Sequence, residues 1–256
     1  DWAERGQYVY DTLRAHAEAS QRELRAALEA RGTPYTPLWI VNAIAIRGTA
    51  ADVAALAGER SVAAMWASQV AELESAPAQS APGACAADAD NACWNIARIG
   101  ASRTWADFGV RGEGITVANI DSGVRFDHPA LIEQYRGNEP GGLRHDYNWY
   151  DAYAGQPAPT DSGNHGTHTM GTMVGRGLAP DQPAVGVAPG ARWIAVRACS
   201  SRDCSEVDLI RAAQWVLAPT NLAGEQPRPD LRPHVVNNSW TGGQNASWYM
   251  GYVAAW

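Results

Sequence analysis

The chain contains no lysine: every one of its 20 cationic side chains is arginine. Two readings stand, selection for stability and a bias in coding composition, the latter favoured, and no functional weight attaches to it. Charge of either sign is sparse at 18%, and the net balance is −7, with no basic stripe along the chain. A nucleic-acid partner is therefore not expected. Long apolar runs are also missing, so nothing in the sequence has the length of a bilayer span. The opening Asp1-Trp2-Ala3-Glu4 does not read as a secretion signal but as sequence from within a protein, and the expectation is that any signal has been removed. Hydrophobic residues make up 46% of the 256, enough for a folded core and one large or two modest domains.

Cysteine is scarce too. The four fall as two local pairs, Cys85 with Cys93 and Cys199 with Cys204, in loop-like sequence rich in small residues. Two readings stand: four buried thiols, or two local disulfides, the latter favoured and implying an extracellular or periplasmic compartment. Neither pair has zinc-ligand spacing with nearby histidines.

What is present centres on Gly163-Asn164-His165-Gly166-Thr167-His168-Thr169-Met170-Gly171-Thr172-Met173-Val174-Gly175. Glycines at this spacing let a helix approach a sheet more closely than a Cβ would permit. His165 then falls in the first turn, where the helix dipole disfavours the imidazolium and keeps the ring able to accept a proton. His168, three residues on, is expected to turn into the fold. Upstream, Gly114-Ile115-Thr116-Val117-Ala118-Asn119-Ile120-Asp121-Ser122-Gly123-Val124 reads as a buried strand ending in a carboxylate and a glycine turn. Ligands bind outside the carboxyl ends of parallel strands, which puts Asp121 where a partner of His165 should stand. A metal reading with His165, His168 and Asp161 as ligands competes, but no fourth ligand or general-base glutamate accompanies them.

Ile120-Asp121-Ser122-Gly123-Val124 with His128-Pro129, followed by His165-Gly166-Thr167-His168, resembles the subtilisin-like serine proteases, or subtilases. His145-Asp146-Tyr147-Asn148-Trp149-Tyr150-Asp151-Ala152 and Asn237-Asn238-Ser239-Trp240 look most like the bacillopeptidase F branch. The resemblance implies a serine endopeptidase in which Asp121 orients His165, the general base and then acid. The order aspartate then histidine matches the subtilisin arrangement. It also implies that Ser239, Trp240, Thr241 and Gly242 line the substrate cleft, where the family has Ser-Leu-Gly-Gly. The bulk of Trp240 and Thr241 leaves the pocket's preference open. The Cys199–Cys204 segment falls on the opposite rim of that cleft. Calcium is a possible structural ion in such proteins; Ala130 after His128-Pro129 replaces the usual acidic ligand, so no metal site is assigned.

The expected fold is α/β: a partial doubly wound parallel sheet of subtilisin type, preceded by a small α+β, ferredoxin-like pro-domain. Residues 4–31 have helical periodicity, residues 36–47 read as two strands bending at Asn42, Thr49 starts a short helix, and Val62 marks a last strand. By resemblance, residues 1–66 form an inhibitory pro-domain lacking the family's first strand. Residues 67–92 form a linker, either cut on maturation or an uncut spacer, and residues 93–256 the first half of the catalytic domain. No Gly-Thr-Ser-type nucleophile segment and no asparagine in the family's oxyanion context occurs in the 256 residues. The expectation is a fragment inactive alone, acting on protein substrate once joined to the remainder of the catalytic domain, with its own pro-domain as inhibitor. The rival is a non-catalytic pseudoprotease that binds peptide or a complementary chain.

Overall fold

A computed structural model describes residues 1–73, 92–177 and 182–241. The N-terminal unit opens with α1 (Trp2–Ala30), whose capping box pairs the Asp1 side chain with Glu4 N and the Glu4 side chain with the chain terminus. β1 (Tyr35–Leu38) and β2 (Ala43–Ile46) follow as an antiparallel pair. They are joined by a single helical turn ending at Asn42, whose φ of 47° is the left-handed bend expected there. α2 (Ala50–Leu56) begins with the predicted cap: Thr49 and Asp52 bond each other's backbone N–H groups. No strand forms at Val62. The next one, β3 (Val70–Glu72), lies inside the span expected to be linker. Among the described residues the small sheet of this unit has two strands, which does not make a ferredoxin-like sheet.

α3 (Trp94–Arg98) and α4 (Ala101–Phe108) lead to the larger unit, where β4 (Thr116–Asp121) occupies the middle of a sheet. A short hairpin of β5 (Asn138–Glu139) and β6 (Gly142–Leu143) precedes β7 (Trp149–Asp151), α5 (His165–Val174), β8 (Arg192–Arg197), β9 (Asp203–Ser205), α6 (Glu206–Leu217) and β10 (Val235–Asn238). β10, β4, β8 and β7 form one sheet in that order, every pairing parallel. The α/β, doubly wound expectation holds for it.

Strand alternation assigns the two faces. Ala118 and Ile120 of β4 with Ile194 and Val196 of β8 pack beneath α6, against Leu209, Ala212, Trp215 and Val216. Val117, Trp193 and Ala195 face the other way, onto Met170 and Val174 of α5. α6 has apolar residues on a second face, one position round, and uses it to seat the N-terminal unit: Ile210, Ala213 and Leu217 pack with Ala17, Leu38, Trp39 and Ile40. A second contact pins the start of α1. The Arg232 guanidinium lies 3.8 Å over the Trp2 ring and donates to Trp2 O at 2.6 Å.

Candidate active site

Asp121 is the last residue of β4 and His165 the first of α5, so both stand at the carboxyl edge of the sheet. Their side chains meet: His165 Nδ1 lies 2.7 Å from Asp121 Oδ1. The carboxylate is fully buried, while the imidazole side chain retains 13% exposure. With Nδ1 donating to a carboxylate, the lone pair is on Nε2, the nitrogen able to take a proton. Ser122 N also donates to Asp121 Oδ1 at 2.6 Å, and Thr169 Oγ1 lies 3.2 Å from Oδ2. Burial pushes the Asp121 carboxyl above its ordinary range, and the bonds from His165 and Ser122 only partly oppose it.

Close approach of helix and strand makes this contact possible. A Cβ on Gly166 would sit 2.0 Å from Gly123 O and 3.1 Å from Asp121 Cβ, so only glycine lets α5 come this near. Asn119, buried in the middle of β4, stitches the same surfaces by donating to Gly166 O and Thr169 Oγ1 while accepting from Asn237.

The sequence reading assigned no supporting role to Ser122 or Asp161, and these two hold the assembly. Asp161 Oδ1 accepts from Ser122 Oγ, Gly163 N and Asn164 N, and Oδ2 accepts from Thr167 N and Thr167 Oγ1. Ser122 Oγ in turn accepts from Gly166 N at 3.0 Å. α5 has no side-chain cap from its own N-cap residue, Asn164. Asp161 and Ser122 satisfy its first N–H groups instead. An aspartate four residues before the helical histidine is the signal in the sequence, and in the fold its two oxygens accept from five donors. Ser122 is fully buried in this network. His168 is exposed, contrary to expectation. A helix turns about 100° per residue, so the third residue after His165 stays near its side, and the inward positions are Gly166, Met170 and Val174.

Two segments form the walls of a groove that holds β3. Ser239 and Thr241 follow β10, with Asn237 Nδ2 donating to Ser239 Oγ, and Trp240 packs against the α6-side core. Gly242 lies outside the described residues, as does Cys85. Cys199 and Cys204 are bonded as expected. Their loop closes the opposite wall: Ser201 abuts Gly163, two residues before His165, and Ala198 N donates to Asp121 O. Between the walls lies β3. It pairs antiparallel with β9 on one side, and on the other Glu72 and Thr241 exchange backbone hydrogen bonds of 3.0 and 2.9 Å.

The subtilase family model matches residues 112–255, a span that includes Asp121, His165, Ser239 and Thr241 but not β3. The chain belongs to the subtilase family. Bacillopeptidase F of Bacillus subtilis (strain 168) is 47% identical to this subtilase chain over 175 residues, covering 65% of this chain and 12% of that protein. Minor extracellular protease Vpr of the same organism is 38% identical over 102 residues, 39% of this chain and 12% of its own length. Subtilisin-like protease 1 of Arthroderma otae is 28% identical over 159 residues, 60% of this chain and 28% of that protein. The chain thus spans 12% to 28% of the length of these three relatives. Among the described residues of this subtilase, no helix is long and apolar enough to cross a membrane.

Proposed function

We propose that the protein carrying this chain is a secreted serine endopeptidase in which Asp121 and His165 form two-thirds of the catalytic triad. The observation that carries the reading is the 2.7 Å bond between a buried carboxylate and a partly exposed imidazole at the carboxyl edge of a parallel sheet. Asp121 fixes the ring with its proton on Nδ1. Nε2 then takes the proton of a serine hydroxyl as that oxygen attacks the peptide carbonyl, and returns it to the leaving amine. The serine and the oxyanion asparagine are not among the 256 residues and are assigned to the remainder of the catalytic domain, so the chain alone is inactive. Loss of the serine in a subtilisin costs about 10⁶ in rate.

Residues 1–66 are the pro-domain on this reading. Its support is the seat on α6 and the strand that follows, since β3 fills the groove as an extended peptide would. Ser239, Trp240, Thr241 and Gly242 are assigned to substrate binding, supported by the pairing of Thr241 with Glu72. The bonded Cys199–Cys204 pair and the extracellular protease named among the relatives support secretion.

Treating the complete protein with a fluorophosphonate probe tests the mechanism. Labelling of one serine after maturation is expected, with loss of that labelling in His165→Ala. No labelling of the matured protein leaves the non-catalytic peptide binder as the better reading, and labelling indifferent to His165→Ala removes the histidine from the mechanism.

A further inference from the structure

Glu206, the first residue of α6, is only 3% exposed although it carries a carboxylate. Its Oε2 accepts the Gln69 backbone N–H at 2.8 Å and its Oε1 the Trp66 indole N–H at 3.0 Å. Its own N–H donates to Gln69 O at 3.0 Å. Among the described residues no cation pairs with it. The positive end of α6 and the two N–H groups from the N-terminal segment offset the buried charge instead.

From this point the segment continues as a ladder. Val70 pairs with Ser205, Ala71 with Cys204 and Glu72 with Asp203, and Leu73 N donates to Arg202 O. Ala71 is 4% exposed and packs with Cys199, Cys204, Leu209 and Trp215, whereas Val70 and Glu72 on either side of it are exposed. Because side chains alternate with a period of two, a slip of one residue would bring a valine or a glutamate onto that apolar floor. Backbone ladder bonds do not by themselves choose between registers. Trp66 at Glu206 does, because it is a particular side chain at a particular distance along the strand. At Leu73 the ladder stands at Arg202, the neighbour of Ser201, which abuts Gly163 beside the helix that opens at His165.

We infer that Glu206 is the register anchor of residues 66–73, a binding site for one backbone N–H and one indole N–H. It thereby sets which peptide bond of the following sequence is presented to His165. Glu206 is a positioning residue: it acts on the reacting bond through the strand. The inference rests on the protease reading for its consequence, but the anchoring is a property of the groove itself.

Two measurements on Glu206→Ala, Glu206→Gln and Trp66→Phe separate the two. Hydrogen exchange on the 256-residue chain reads the anchor directly. Protection of residues 69–73 should fall at least tenfold in Glu206→Ala, and by less in Glu206→Gln and Trp66→Phe, which each keep part of the grip. N-terminal sequencing of the matured complete protein reads the consequence, with a single new terminus in the wild type and a mixture or a displaced terminus in Glu206→Ala. If Glu206→Ala does not fold, Trp66→Phe carries both readouts with the carboxylate intact. Unchanged protection and an unchanged terminus would overturn the anchor. Reduced protection with no maturation of the wild type would leave the anchor standing and count against the protease reading.

Discussion

Replacing Asp161 with asparagine tests whether the Asp121–His165 pair is held from outside. The carboxylate accepts five hydrogen bonds, and Asn presents one oxygen and an NH₂ group. If the amide oxygen keeps the Oδ1 position, the NH₂ faces Thr167 N–H, donor against donor, and that bond is lost, while Thr167 Oγ1 turns from donor to acceptor and keeps a neutral bond in place of a charged one. A bond to a charged acceptor contributes about 1.5–3 kcal/mol and a neutral one about 0.5–1.5 kcal/mol; losing one charged bond and weakening the other, roughly halved for the partial exposure of Asp161, gives a loss of about 1–2 kcal/mol. For a domain of this size that is a fall in Tm of about 2–8 °C. The start of α5 should loosen with it. A displacement of His165 by about 1 Å would slow probe labelling of the complete protein about 100-fold. Denaturant unfolding of the 256-residue chain and labelling kinetics of the complete protein are the assays. Stability within about 0.5 kcal/mol of wild type, the scatter of an unremarkable surface substitution, together with unchanged labelling, would refute the claim that Asp161 positions His165.

Gly166→Ala should destabilise despite its better helix propensity, because the overlap with Gly123 O costs about 1–3 kcal/mol against a gain of at most about 1 kcal/mol, and unfolding of the chain would show it. Asp121→Asn should reveal the cost of the buried carboxylate. The folded carboxyl pKa is raised, so the Asp121 contribution to stability is present in full below its unfolded value and is lost as pH rises through the folded value. The variant should therefore gain on wild type as pH rises across the weakly acidic range and then level off, while losing probe labelling in the complete protein; urea titrations at several pH values check the first part. Cys199→Ser with Cys204→Ser opens a short loop and should cost about 2 kcal/mol by the chain-entropy estimate, with faster exchange at Leu73, whose N–H donates to Arg202 O within that loop.

Local chemistry made much of this molecule legible in its sequence. The cap at Thr49, the bend at Asn42, the strand closing at Asp121 and the glycine-spaced helix opening at His165 are all decided by residues a few positions apart, and each formed as read. What pattern reading missed depends on partners far along the chain. Residues 70–72 have no strong strand signal of their own, and they become a strand because β9 and Thr241 offer edges some 130 to 170 positions away. Asp161 enters the sequence reading only as a candidate metal ligand, and folding sets Ser122 and the first turn of α5 around it. Glu206 carries no signal in the sequence, and residues 66 and 69 cover it only in the fold. The sequence by itself determined which groups could do chemistry and which short segments would be rigid. Only the tertiary structure decided which buried acids are held by N–H and O–H donors rather than by a cation or a metal, because those donors are backbone amides and hydroxyls whose positions no local pattern encodes.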